Sequence, residues 1–190
     1  MNLDVDQKIV GDMPLELINN LLSSIDEEDW YAGDYRQRVG NMSDCNSIPI
    51  YHTPLCASGR CDMEPIRSIR KEKMYNKFFP LVEPILEELR KYYEFRQYSC
   101  FMARLHPGGI IGEHIDRGSF LELCHRVHVP LKSNSKIRYV IDGKSYYWEP
   151  GKIYEFNNTK MHGVYNESDE HRIHLVVNLY NLTDEQLEKD

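Results

Sequence analysis

The segment Gly112-Glu113-His114-Ile115-Asp116 sets an imidazole and a carboxylate two residues apart. On an extended strand, residues two apart share a face, so the two groups converge on one point. They make two arms of a metal site, and a third arm must come from another strand. Of the eight histidines, His162 is the candidate, 46 residues beyond Asp116 and just after a strand–turn segment. Two histidines and one carboxylate on one side of a metal leave three positions open, the arrangement of non-haem Fe(II) oxygenases. A His-x-Asp pair alone is a weak signal, because the two residues meet by chance in many chains. The weight comes from Arg172, ten residues after His162 and inside an apolar strand. Alternation through Arg172-Ile173-His174-Leu175-Val176-Val177-Asn178-Leu179 puts Arg172 on one face with His174, Val176 and Asn178. A guanidinium in a strand core is costly unless paired. A carboxylate gripped by two parallel hydrogen bonds meets that cost. The distal carboxylate of 2-oxoglutarate is one such partner, and an internal Asp or Glu is the other. Arg126 and His128 form a second pair on one strand face. Three roles are open to them: binding the other end of a co-substrate, orienting a metal ligand, or lying on a solvated face.

These groups need a scaffold that brings distant strands together, and the pattern after Arg96 supplies one. Gln97 to Leu105 has strand character, and His106-Pro107-Gly108-Gly109 is a turn. Arg126 to Leu131 alternates polar and apolar residues. Ile137 to Ile141 and Lys144 to Trp148 flank Asp142-Gly143, a two-residue hairpin signal whose central positions need φ > 0. Lys152 to Phe156 and Arg172 to Tyr180 are further strands. Closely spaced short strands with turn signals predict a sandwich or jelly roll. Two helices precede it. One begins near Asp12 or Met13, capped by Asp12, with Leu15, Ile18, Leu21 and Leu22 at helical spacing. The other lies between Pro65 and Tyr93 and is interrupted or restarted at Pro80 and Pro84. Both are expected on the outside of one sheet. Tyr31 to Cys61 is polar and turn-rich, and reads as loops with one or two strands, serving as a lid, a substrate-binding loop or a plain connection. The expected organisation is one oxygenase domain over 1–190. In it, a helical and loop part, 1–95, packs on a jelly-roll core, 96–182.

Composition narrows the function classes. Hydrophobic residues make up 41% and charged residues 28%, the balance of a globular chain. No apolar run approaches the roughly 20 residues of a membrane helix, and the N-terminus shows no basic and apolar secretory pattern. A net charge of −7 weighs against a nucleic-acid partner. The most basic stretch, Arg67 to Lys73, reads as a solvated helix. The five cysteines are odd in number and read as reduced thiols in a cytoplasmic protein. Cys56 and Cys61 carry a zinc reading only if a second ligand pair exists.

From about Tyr98 to Tyr180 the sequence resembles the aspartyl/asparaginyl β-hydroxylase family of 2-oxoglutarate-dependent oxygenases. The matching motifs are RLHPGGIIGEHID (104–116), HRVHVPL (125–131), WEPGKIYEFNNTKMHGVYN (148–166) and HRIHLVVNLY (171–180), in the family's order. The resemblance implies a mainly β fold with flanking α-helices, a double-stranded β-helix of the cupin-like jelly-roll type. It implies Fe(II), 2-oxoglutarate and O2 as cofactor and co-substrates. His114 and His162 match the family's iron histidines, with Asp116 as the carboxylate. Arg172 matches the arginine that binds the side-chain carboxylate of 2-oxoglutarate. Arg126 and His128 match the basic pair beside the co-substrate, and Asn157 and Asn158 match a polar pair that shapes the turn before His162. Some family members have glycine where this chain has Asp116, so the intact triad argues against a halogenase. The implied reaction hydroxylates a C–H bond of an amino-acid side chain, free or peptidyl, with release of succinate and CO2. Arg104, Arg117, Arg138 and Tyr98 are candidates for a substrate-facing mouth. A non-catalytic cupin-like metal- or ligand-binding protein is the alternative.

Overall fold

A computed structural model describes residues 3–32, 43–52 and 69–188 of the chain. Eleven strands are described, in two sheets. The major sheet has the order β1-β9-β6-β11-β4-β2-β3. These are β1 (Gln7–Asp12), β9 (Lys152–Phe156), β6 (His125–Lys132), β11 (Arg172–Tyr180), β4 (Gln97–Leu105), β2 (Cys45–His52) and β3 (Arg70–Lys71). The minor sheet has the order β5-β10-β7-β8, from β5 (Ile110–His114), β10 (His162–Asn166), β7 (Ile137–Ile141) and β8 (Lys144–Tyr146). All pairings are antiparallel. Two facing antiparallel sheets of this kind, with helices against one of them, form a double-stranded β-helix.

The period-2 pattern decides which side each residue takes. On β4, β6 and β11, Cys100, Met102, Val127, Val129, Leu175 and Val177 face two helices, α1 (Leu15–Ser23) and α2 (Tyr75–Leu89). Ile18, Leu21, Phe78, Val82, Ile85 and Leu89 of those helices complete this first core. A second core lies between the sheets and is built on Leu105, Ile111, Ile137, Tyr139, Trp148 and Phe156. Asp142 and Gly143 have φ of 51° and 75°, so the hairpin between β7 and β8 has the backbone its sequence demands.

Several expectations need correction. Asp12 does not cap α1: it ends β1 and pairs with Lys152, and Pro14 takes the N-cap position. Pro80 and Pro84 neither interrupt nor restart α2, which runs unbroken from Tyr75 to Leu89. Both prolines are exposed and one turn apart. The carbonyls they leave without an N–H belong to Asn76 and Pro80, both exposed residues open to solvent donors. Of the basic stretch Arg67 to Lys73 the first two residues lie outside the described residues, and the rest contains strand β3 rather than a helix. The N-terminal part adds three strands to the major sheet as well as helices to its outer face. Of the Tyr31–Cys61 region only residues 31–32 and 43–52, which hold β2, are described, and Cys56 and Cys61 lie outside the described residues. Cys45, Cys100 and Cys124 are buried, and Cys100 and Cys124 are free thiols.

Candidate metal centre

His162 begins β10 and lies opposite His114, the last residue of β5. The register between these strands shifts: His162 pairs with His114, but Val164 pairs with Ile111. Two residues on β10 therefore span three on β5, which is a β-bulge. The bulge turns both Ile111 and His114 toward the cavity, which strict alternation forbids. Gly163 lets the bulged strand approach, since a Cβ there would meet the Ile111 carbonyl at 2.9 Å and Glu113 Cγ at 3.0 Å.

Asp116 sits beyond the end of β5, not on the strand with His114. Its place is set from across the site: its N–H donates to the Asn158 carbonyl at 3.0 Å. The Asn158 side-chain amide in turn donates to Asp116 Oδ2 at 3.3 Å and to the Leu121 carbonyl at 2.9 Å. One donor atom from each of His114, Asp116 and His162 lies within 4.8 Å of the others. The His114 and His162 rings are 4.3 Å apart, and His114 Nε2 is 3.7 Å from Asp116 Oδ1. His114 Nδ1 lies 2.8 Å from the Gly112 carbonyl, and His162 Nδ1 lies 2.8 Å from the Lys160 carbonyl. A carbonyl only accepts, so each Nδ1 carries the hydrogen and each Nε2 keeps its lone pair for a cation. Burial holds His162 below the usual histidine range against the pull of Asp116. Burial alone would raise Asp116, but Arg126, His162 and His114 outweigh it and hold the carboxyl below its ordinary value. A neutral imidazole and an ionised carboxylate are the forms that bind a divalent ion. This donor set fits a metal with open positions.

The triad stands at one side of a cavity between the sheets, with an empty volume of about 510 Å³ including its open mouth. Its walls are largely apolar, with Ala103, Ile141, Trp148, Phe156 and Val176 among them. Arg172 lines the same cavity and is 2% exposed. Its Nε donates to the Tyr139 hydroxyl at 2.9 Å, and no carboxylate of the described residues lies within ion-pair distance of its guanidinium. The internal Asp or Glu partner left open by the sequence is therefore not found among the described residues.

Arg126 and His128 project from β6 into the cavity. Arg126 Nη1 donates to Asn178 Oδ1 at 2.7 Å, and Asn178 is held by Ser99 at 3.0 Å. Arg126 Nε is 3.9 Å from Asp116 Oδ2. Arg104 and Tyr98 do not reach the mouth. They belong to the helix-facing side of β4, where Tyr98 packs on Tyr51 and Phe95. Arg104 makes two bonds of 2.6 and 2.9 Å to Glu27 and a third of 3.1 Å to Asn46, and stacks over Trp30. The reason is parity: β4 residues that point into the cavity are odd-numbered, such as Ala103. Arg138 also points away, bonding Glu167 and covering the Tyr165 ring. Arg117 is exposed, one residue past Asp116. Sequence reasoning missed Tyr139, Trp148 and the positioning role of Asn158. No local pattern marks Tyr139, because its partners come from the other sheet. The Asn pair before His162 was the available signal for Asn158.

The two-sheet fold thus brings a His-Asp-His cluster suited to a metal ion beside a cavity that holds a buried arginine. The sequence profile of the aspartyl/asparaginyl β-hydroxylase family matches residues 52–181. The chain belongs to that family, and with it to the 2-oxoglutarate-dependent hydroxylases. The viral collagen prolyl hydroxylase of Paramecium bursaria Chlorella virus-1, solved with 2-oxoglutarate, shares the fold at TM-score 0.53 and 10% identity, over 95% of this chain and 98% of that one. A prolyl-4-hydroxylase of Pseudomonas putida shares it at TM-score 0.50 and 12% identity, over 93% and 92%. Among curated protein sequences, none matches this chain.

Proposed function

We propose that the chain is one oxygenase domain over 1–190 that hydroxylates a C–H bond of an amino-acid side chain, free or within a peptide. His114, Asp116 and His162 hold Fe(II), and Arg172 anchors the distal carboxylate of 2-oxoglutarate. Bound there, iron and 2-oxoglutarate with O2 supply the oxidising power that turns C–H into an alcohol and release succinate and CO2. The observation that carries this reading is Arg172, buried at 2% exposure in the cavity that the triad borders, with no acidic partner among the described residues. A buried guanidinium in that state calls for an anionic ligand. The viral collagen prolyl hydroxylase, of the same fold, was solved as a complex with 2-oxoglutarate, which supports the same assignment here.

The protein's own part is to bind, orient and keep water out. Arg126, tied down by Asn178, lends positive charge beside Asp116 and the near end of the cavity. His128 lines the cavity between the Trp148 and Phe156 rings, 5.3 Å from each. The apolar walls exclude water from the reacting carbon. No side chain is assigned as a general base.

Cys100 and Cys124 are free and buried, which suits the reducing cytoplasm in which we place the protein. No described helix is long and apolar enough to cross a membrane, and the net charge of −7 weighs against nucleic acid as substrate.

Anaerobic titration of the metal-free protein with Fe(II) and 2-oxoglutarate tests the reading through the visible charge-transfer band of the chelate. Wild type should develop the band, while Arg172→Ala and His162→Ala should lose it, one through the co-substrate and the other through the metal. A wild type that binds other divalent metals well but gives no band would return the protein to a metal-binding jelly roll.

A further inference from the structure

Four buried side chains, of which Arg172, Tyr139 and His128 line the cavity and His174 lies behind them, form one continuous hydrogen-bonded line. Arg172 Nε reaches the Tyr139 hydroxyl at 2.9 Å, and that hydroxyl reaches His174 Nε2 at 2.8 Å. His174 Nδ1 in turn faces His128 Nδ1 at 3.2 Å. Arg172, Tyr139, His174 and His128 are all buried, and His174 is 0% exposed. The line crosses the fold: β11 carries Arg172 and His174, β7 of the opposite sheet carries Tyr139, and β6 carries His128.

Two imidazole nitrogens facing each other share a single hydrogen, so one is donor and the other acceptor. Burial, with Arg172 and His128 adding to it, pushes His174 well below the usual histidine range, so its ring is neutral with one N–H and one lone pair. Arg172 only donates, so the Tyr139 oxygen accepts from it. Tyr139 can then give its hydroxyl hydrogen to His174 Nε2, 2.8 Å away, while Ser133 also faces that hydroxyl. That choice puts the His174 hydrogen on Nδ1, from which it is given to His128 Nδ1. His128 is left with its own hydrogen on Nε2.

We propose that His174 is a positioning residue for co-substrate binding, which with Tyr139 locks His128 as the Nε2–H tautomer so that the cavity meets an N–H donor. A carboxylate bound beside His128 needs that donor, since a bare lone pair would repel it. The relay also makes the two anion-binding side chains, Arg172 and His128, parts of one rigid unit. The inference rests on the reading of the cavity as a 2-oxoglutarate site.

The primary test is long-range proton–nitrogen NMR on the metal-free protein with 15N-labelled histidine, which reads each tautomer directly and needs no turnover. The expected result is His174 protonated at Nδ1 and His128 at Nε2. The opposite assignment, His128 protonated at Nδ1, overturns the proposal. The second test compares 2-oxoglutarate binding to the Fe(II) protein, without O2, in His174→Phe, His174→Asn and wild type. His174→Phe keeps the ring shape but donates nothing, and should raise the Kd for 2-oxoglutarate about tenfold while leaving the Kd for Fe(II) unchanged. His174→Asn carries an amide donor near the Nδ1 position and should recover most of that loss. Equal weakening in both variants at equal Tm would reduce His174 to a packing residue. A wild type with the expected tautomers but no affinity for 2-oxoglutarate would overturn the function reading, and with it this role of His174.

Discussion

On its helix side, the major sheet presents Cys100, Met102, Val127, Val129, Leu175 and Val177, all buried among carbon. On its cavity side, β6 and β11 of the same sheet present Arg126, His128, Arg172, His174 and Asn178, which are largely withdrawn from water as well. One residue of translation along a strand therefore separates hydrocarbon packing from a chain of nitrogen donors. The outer face removes apolar area from water and gains stability from it. The inner face holds polar groups out of water and keeps them only by mutual hydrogen bonds, or by a ligand still to come. Stability and function are thus divided between the two faces of the major sheet.

That division can be broken by substitution. The largest effect is expected from Arg172→Met, which should lower 2-oxoglutarate affinity by at least about a hundredfold, the loss of a charge-assisted pair. The same change should leave Tm unchanged or raised, because replacing a buried charge by a fitting apolar chain is often neutral or stabilising. Isothermal titration and calorimetry read the two quantities, and a large fall in Tm would erase the distinction between the faces. Leu175→Ala is the converse. It should cost about 2–5 kcal/mol in urea unfolding while the folded protein keeps its affinity for 2-oxoglutarate.

Gly163→Ala probes the bulge that aims His114. Its new Cβ would press on the Ile111 carbonyl at 2.9 Å, so the strand must shift at a cost of about 1–3 kcal/mol. Metal affinity should fall with it, as measured by competition with a chelator.

The smallest effect is a pH dependence of the inner face. Burial lowers His174 and His162, so each binds its proton more weakly folded than unfolded. The unfolded chain then holds more protons once the pH falls to about 6.5, and stability declines from there toward the lowered folded values. Metal-free protein should lose Tm on acidification through this range, with a shallower slope in His174→Phe. An equal slope in that variant would assign the effect to other histidines.

What was legible in the sequence were features that depend on near neighbours. Alternation in Arg172 to Tyr180 announced both the strand and the company Arg172 would keep. Asp142-Gly143 announced its hairpin, because few residues other than glycine, asparagine and aspartate accept φ > 0. The His114, Asp116 and His162 set was visible as residue types at workable separations. Less local facts were not. The parity that turns Arg104 toward Glu27 was written in β4, but which face would be the cavity was not. The exposure of Pro80 and Pro84, on which the continuity of α2 depends, is settled by which side of the helix meets the sheet.

The sequence by itself determined six of the strands from Gln97 onward, though not β5 or β10, with their two-faced character and the chemical types available to a metal and an anion. Only the tertiary structure decided how those types meet. It placed a bulge between β5 and β10, hung Asp116 from Asn158, and drew Tyr139 from one sheet to His174 on the other. The physical reason is range. Periodicity and turn chemistry act over a few residues, whereas ligand geometry and tautomer choice depend on contacts between strands that are distant in the chain, which exist only once both sheets have closed.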